Sequence, residues 1–301
     1  VEGAPHMTAC EGIIGGGMEY PMVTIIAAAG NAQSLDRVIA HEVGHNWFHG
    51  MLANNEQRYP WFDEGINSYY GKRFEKEVSR FKPTTDKKQL FDLNFDDALF
   101  LESFERLHLD QPLTTSSDSL TAGNYSLIAY EKGAQFMQLL EQQLGKTVFD
   151  NAMQQYFQQW KRKHPYPSDL QHTLEQVSGK DLNATFALLN KKGSLVPEQK
   201  KKFTISPFVG TNDATKNTVI VSPVAGINLY DGFMIGGALH NYTLAPSKFQ
   251  FIVAPVYATR SKQLNGLARM SYTFYPQKTF QRITLAVNAL KFSTNDFTDT
   301  A

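Results

Sequence analysis

Apolar and polar positions alternate with a helical period through the first part of the chain and with a strand period through the last. Residues 22–29 form a short, continuous apolar run, the pattern of a buried strand. Ser34 is a good N-cap, and Leu35, Val38 and Ile39 begin a helix that runs to about Gly50. A second helix is predicted from Pro60, an acceptable first-turn residue, to about Val78. Ala98, Leu99, Leu101, Phe104 and Leu107 make the buried stripe of a third. Residues 125–144 read as one amphipathic helix ended by Gly145. Three more follow at 147–164, 168–177 and 181–189, separated by Pro165-Tyr166-Pro167 and Ser178-Gly179-Lys180. Between these elements, residues 1–20 are Gly-rich and irregular, 80–95 read as a polar surface connection, and 112–124 as a Ser/Thr-rich loop.

After about residue 195 the period changes to two. Strands are predicted at 218–222, 231–243, 248–259, 267–275 and 281–292, with turns at Ala245-Pro246-Ser247, Asn265-Gly266 and Pro276-Gln277. Ile283, Leu285 and Val287 point one way and Arg282, Thr284 and Asn288 the other, so the strands are read as antiparallel. Several are about ten residues long, with Tyr230, Phe233, Tyr257, Tyr272, Phe274 and Phe292 near their ends, as the aromatic girdles of a membrane barrel require. A soluble β-sandwich fits the same pattern. The barrel reading needs strands beyond Ala301, because four or five cannot close.

At 301 residues the chain is read as two domains, 1–195 and 196–301. Twenty-nine basic residues balance 29 acidic ones, which gives nucleic acid no electrostatic foothold. A single cysteine, Cys10, excludes an internal disulfide. The chain opens on Val1 without a leader pattern, so the first domain is read as N-terminally truncated.

Candidate chemistry centres on His41-Glu42-Val43-Gly44-His45. On a helix, positions i and i+4 share a face, so His41 and His45 can present two imidazole nitrogens to one ion. Glu42 sits to the side of that pair, where a general base can reach a metal-activated water. The third ligand is sought on a neighbouring element, and Glu64 follows His45 after eighteen residues inside the second helical pattern. Two imidazoles and a carboxylate suit zinc and leave one position open. His49, a further turn along, is read as a flanking residue, since three histidines over two turns cannot meet at one ion. Asp63 is compatible with supporting a ligand histidine or with a plain acidic helix start.

Together, H-E-x-x-H, Trp61-Phe62-Asp63-Glu64-Gly65, Gly16-Gly17-Met18-Glu19-Tyr20 and Tyr130-Glu131-Lys132-Gly133 resemble zinc aminopeptidases of the aminopeptidase N type, a gluzincin family. The resemblance covers about residues 15–190. It implies an α+β fold, a mostly helical thermolysin-like zinc metallopeptidase domain, here followed by the antiparallel β-rich region. It implies one zinc ion on His41, His45 and Glu64, Glu42 as base, and Tyr130 as donor to the oxyanion, with Tyr125 the competitor for that role. The segment matching the family's G-x-M-E-N signature, with Gly16 and Gly17, would border the cleft, and Glu19 would grip the free α-ammonium of a peptide. Tyr20 stands where the family has Asn, which keeps an endopeptidase or relaxed-specificity peptidase as the alternative. A non-catalytic envelope scaffold is the alternative from another class. Peptides are the expected partners, and the β region suggests membrane association and a bacterial cell envelope, periplasmic or outer-membrane-associated.

Overall fold

The structure is a computed structural model that describes residues 7–77, 97–196, 201–208, 216–276 and 279–294. It falls into two compact units, Val1–Lys88 with Asp110–Val196, and Gln89–Leu109 with Pro197–Ala301. The sequence pattern divides the chain once, at 195/196, whereas here α3 (Asp97–Arg106) is counted with the strands. Its Ser103 hydroxyl donates to Leu244 O at 3.1 Å and its Arg106 guanidinium to Ala245 O at 3.0 Å. The surface connection expected at 80–95 lies outside the described residues.

The first unit begins with a three-stranded sheet, β1 (Thr8–Gly12), β2 (Gly17–Met18) and β3 (Val23–Ala27), in the order β1-β3-β2. Residues 1–20 are therefore not wholly irregular. Both short strands borrow their structure from β3, parallel to β1 and antiparallel to β2, rather than from any period of their own. Next comes α1 (Ala32–His45), capped not by Ser34 but by Asn31, whose side chain accepts the Ser34 N–H at 2.8 Å. It continues as a π-helical turn, Asn46–Met51. A second π-helical turn, Trp61–Gly65, leads into α2 (Ile66–Glu77). The short α4 (Ala122–Asn124) falls inside the expected loop and feeds a third π-helical stretch, Tyr125–Lys132, and then α5 (Gly133–Leu144). Gly145 ends α5 with φ of 84°, before α6 (Lys146–Trp160), α7 (Pro167–Ser178) and α8 (Asn183–Phe186). Trp61, Phe62, Phe136, Phe149 and Tyr156 are fully buried, with the Trp61 and Phe136 rings edge to face at 5.3 Å. Burying each such side chain contributes about 1.5–3 kcal/mol; Trp61 and Phe136 join the Trp61–Gly65 turn to α5, and Phe62 meets Tyr156 of α6.

The second unit is one six-stranded sheet in sequential order: β4 (Lys202–Pro207), β5 (Lys216–Asn228), β6 (Gly232–His240), β7 (Phe249–Ala258), β8 (Leu264–Phe274) and β9 (Ile283–Lys291). Neighbours from β5 onward are antiparallel, as the alternation predicts. β4, whose alternation spans only six residues, pairs parallel with β5, so the sheet is not antiparallel throughout. The turn expected at Asn265-Gly266 lies inside β8. Gly266 has φ of 146°, and a Cβ there would stand 2.3 Å from Ala254 O, so this glycine serves close strand approach. Among the described residues of this unit no second sheet accompanies the first.

Candidate active site

One turn of α1 brings His41 Nε2 and His45 Nε2 to 3.1 Å from each other. Glu64, from the π-helical turn before α2, places Oε2 at 3.1 Å from His41 Nε2 and 3.3 Å from His45 Nε2. The three atoms form a nearly equilateral triangle. Ligands of a tetrahedral zinc at its usual bond lengths lie about 3.3 Å apart, so the triangle already has the size of a zinc face. His45 Nδ1 is 2.8 Å from Asp63 Oδ1, which sets the imidazole tautomer with its proton on Nδ1 and leaves the Nε2 lone pair free to bind. Burial lowers the His45 pKa, but hydrogen bonds to Asp63 and Glu64 outweigh it and push it up to about 11. The pocket thus favours positive charge at this imidazole, and a divalent cation meets that demand in place of the proton. On these grounds the residues present fit zinc.

Glu42 is buried beside the triangle, and its Oε2 has no hydrogen-bond partner among the described residues. Burial raises its pKa to about 7 against the opposing pull of His41 and His45. Gly17 of β2 makes this position possible, since a Cβ on it would meet the Glu42 carboxyl carbon at 2.3 Å. The neighbouring Gly16 adopts a φ of 90° in open space. Glu19, His45 and Asp63 each bring one ligand atom within 4.8 Å of the others, so Glu19 borders the same pocket. Tyr20, the next residue along the chain, is 56% exposed.

Tyr130 reaches the site from the π-helical stretch before α5. Its hydroxyl donates to Glu64 Oε1 at 2.6 Å, and its ring stacks on that of His41 with centroids 5.6 Å apart. Burial and the Glu64 charge raise its pKa, so it remains a donor. Tyr125 is a neighbour, its ring 6.2 Å from that of Tyr130. Glu64 and Tyr130 both lie in π-helical turns, and His45 ends α1 where such a turn begins. His49 Nδ1 faces Glu56 at 3.2 Å and Asp63 at 3.4 Å and is not one of the three converging ligand atoms.

A model of the peptidase family M1 domain matches residues 20–188, which hold both histidines, Glu42, Glu64 and Tyr130. The chain belongs to peptidase family M1. Leucine aminopeptidase 2 of Sclerotinia sclerotiorum is 28% identical over 187 residues, covering 58% of this M1 chain and 29% of that protein. Its counterpart in Aspergillus oryzae is 30% identical over 186 residues, covering 58% and 28%. The M1 chain thus spans less than a third of these relatives. Among solved structures, the M1 zinc metallopeptidase from Deinococcus radiodurans is 17% identical, with a TM-score of 0.47, covering 64% of this chain and 40% of that one.

Two features of the M1 site could not be read from motif spacing. Asp63 had two equal readings, and its 2.8 Å contact with His45 decides for ligand support. The second is a meeting of glycines. A Cβ on Gly65 would stand 2.6 Å from Gly133 Cα, so the glycine after the third ligand and the glycine after Tyr130-Glu131-Lys132 abut. Their contact lets Glu64 and Tyr130 come within hydrogen-bond reach.

Proposed function

We propose that this chain carries the catalytic apparatus of a zinc-dependent aminopeptidase that removes N-terminal residues from peptides. The observation that carries the reading is the convergence of the His41, His45 and Glu64 ligand atoms beside the buried Glu42 carboxyl, whose Oε2 has no hydrogen-bond partner among the described residues. Bound zinc would supply Lewis acidity, polarising a carbonyl and acidifying a water. Glu42, with a pKa near the working range, takes the proton of the attacking water and delivers it to the leaving amine. Tyr130, aimed at the ligand cluster, donates to the oxygen on which negative charge develops. Glu19, at the rim of the same pocket, pairs with the peptide's α-ammonium and so measures one residue from the chain end to the scissile bond. The names of the matched relatives, leucine aminopeptidases among them, support the same assignment.

Tyr20, exposed beside Glu19, is the observation that favours a relaxed or endopeptidase variant. Hydrolysis of matched peptides with free and acetylated N-termini separates the two. An aminopeptidase cleaves the free peptide and is at least about 100-fold slower on the acetylated one, the weight of a charge-assisted contact of nearly 3 kcal/mol. Equal rates would refute terminus selection, and chelator-insensitive or absent cleavage would refute the peptidase.

We also infer that the protein works at a cell envelope, with its strand-rich unit associated with a membrane. The many exposed aliphatic and aromatic side chains on β5–β9 support this.

A further inference from the structure

The register of the six-stranded sheet sorts its side chains onto two faces, one of which is apolar and exposed. On one face Ile227, Val287, Ile235 and Met270 are 79%, 75%, 56% and 53% exposed. On the other face Thr218, Asn265 and Ser271 are buried together with Ile220, Met234, Val256 and Ala258. From β4 to β9 the exposed face carries no Asp, Glu, Lys or Arg until Lys291, at the very end of β9. The opposite face carries His240, Gln250, Arg269 and Asn288.

Aromatic placement tells what kind of occupant this face is built for. The central row, Val221, Leu239, Val253, Ala268 and Ala289 in register across five strands, contains no aromatic residue. Phe233 and Tyr257 lie toward one end of the strands, and Phe249, Tyr272 and Phe274 toward the other, with Phe251 one row in from Phe249. A protein interface concentrates its aromatic anchors at the centre and surrounds them with a polar rim. Two aromatic rims flanking an uncharged aliphatic band are the arrangement of a surface that meets hydrocarbon, with rings at both lipid–water boundaries. Strand length agrees: β6, β7 and β8 have 9, 10 and 11 residues, and a tilted strand needs about 9–11 to cross a bilayer core.

We propose that this face is a lipid-facing wall whose occupant is the acyl-chain region of a bilayer, with the opposite face, mixed in polarity and largely buried, turned away from lipid. The proposal rests on the membrane association inferred above and adds which side chains touch lipid. β4 and β9 each have one edge unpaired among the described residues, and unpaired backbone is not tolerated in hydrocarbon. The wall must therefore be completed by further strands, from elsewhere in the protein or from neighbouring copies.

The test uses the intact protein with Cys10→Ser as background and single substitutions Ala268→Cys, Arg269→Cys, Met270→Cys and Ser271→Cys, each labelled with a bimane dye. Vesicles of phosphatidylethanolamine and phosphatidylglycerol, with and without bromine on their acyl chains, are the probe. Unlabelled wild-type protein should float with the vesicles and remain with them in high salt. Bromine should then quench the dye at 268 and 270 at least twofold more than at 269 and 271. Flotation without this alternation would overturn the wall and leave membrane association standing. Failure to float would overturn both, and concentration-dependent self-association of the lipid-free protein would then assign the face to a second copy.

Discussion

Replacing Gly65 with Ala tests whether two abutting glycines hold the catalytic helices at their working separation. The new Cβ would stand 2.6 Å from Gly133 Cα, 2.8 Å from Ala129 O and 2.9 Å from Gly133 C. All three are backbone atoms, so no side chain can turn aside. Carbon–carbon contacts relax at about 3.5–4.0 Å, so the two segments must part by about 1 Å. Overpacking of that size costs about 1–3 kcal/mol of stability. The functional cost follows from position, because Glu64 precedes Gly65, Tyr130 lies three residues before Gly133, and their 2.6 Å hydrogen bond spans the same gap. A displacement of about 1 Å at reacting groups lowers rate by about 100-fold. Denaturant unfolding and kcat/KM on a fluorogenic aminoacyl amide read the two effects. Gly133→Ala should reproduce them, since its Cβ would meet Gly65 Cα at 2.7 Å. A Gly65→Ala protein with an unchanged unfolding midpoint and full activity would refute the packing argument.

Tyr130→Phe should lower kcat by about 10²–10³-fold with little change in KM, as expected when one oxyanion donor is removed. A normal rate would move the role to Tyr125. Asp63→Ala frees the His45 ring, and zinc affinity measured by chelator competition should fall about 10–100-fold; undiminished affinity would show that the 2.8 Å contact is incidental. Lys132→Met strands the buried Asp110 carboxylate, which Lys132 Nζ contacts at 2.8 Å, and should cost about 3–5 kcal/mol in denaturant unfolding. A loss under about 1 kcal/mol would mean that the Gly193 N–H, 2.7 Å from the same oxygen, suffices.

The parts of this molecule legible in its sequence are those set by short-range periodicity. His41 and His45 needed only the helical repeat to be placed on one face, and β5–β9 needed only alternation. Long-range contacts were not legible. Nothing in the spacing of Glu64-Gly65 and Lys132-Gly133 says that these glycines touch, and an acid at a helix start looks the same whether or not it faces His45. β4 is hard to read because Lys202–Pro207 alternates Phe203 and Ile205 with polar residues over only six positions, and its strand conformation comes with pairing to β5. Asn265-Gly266 misled because a pair typical of turns was chosen here for close backbone approach inside a strand. Ser34 misled by one turn, since Asn31 offers the same capping chemistry and lies nearer the bend that ends β3.

The zinc content of the purified intact protein and of its Glu42→Gln and His45→Ala forms, each paired with aminoacyl amide hydrolysis, tests the metal site and its base together. One zinc per chain is expected in the wild type and in Glu42→Gln, hydrolysis in the wild type alone, and neither metal nor activity in His45→Ala. A wild type without zinc, or a zinc content untouched by loss of His45, would contradict the metal site.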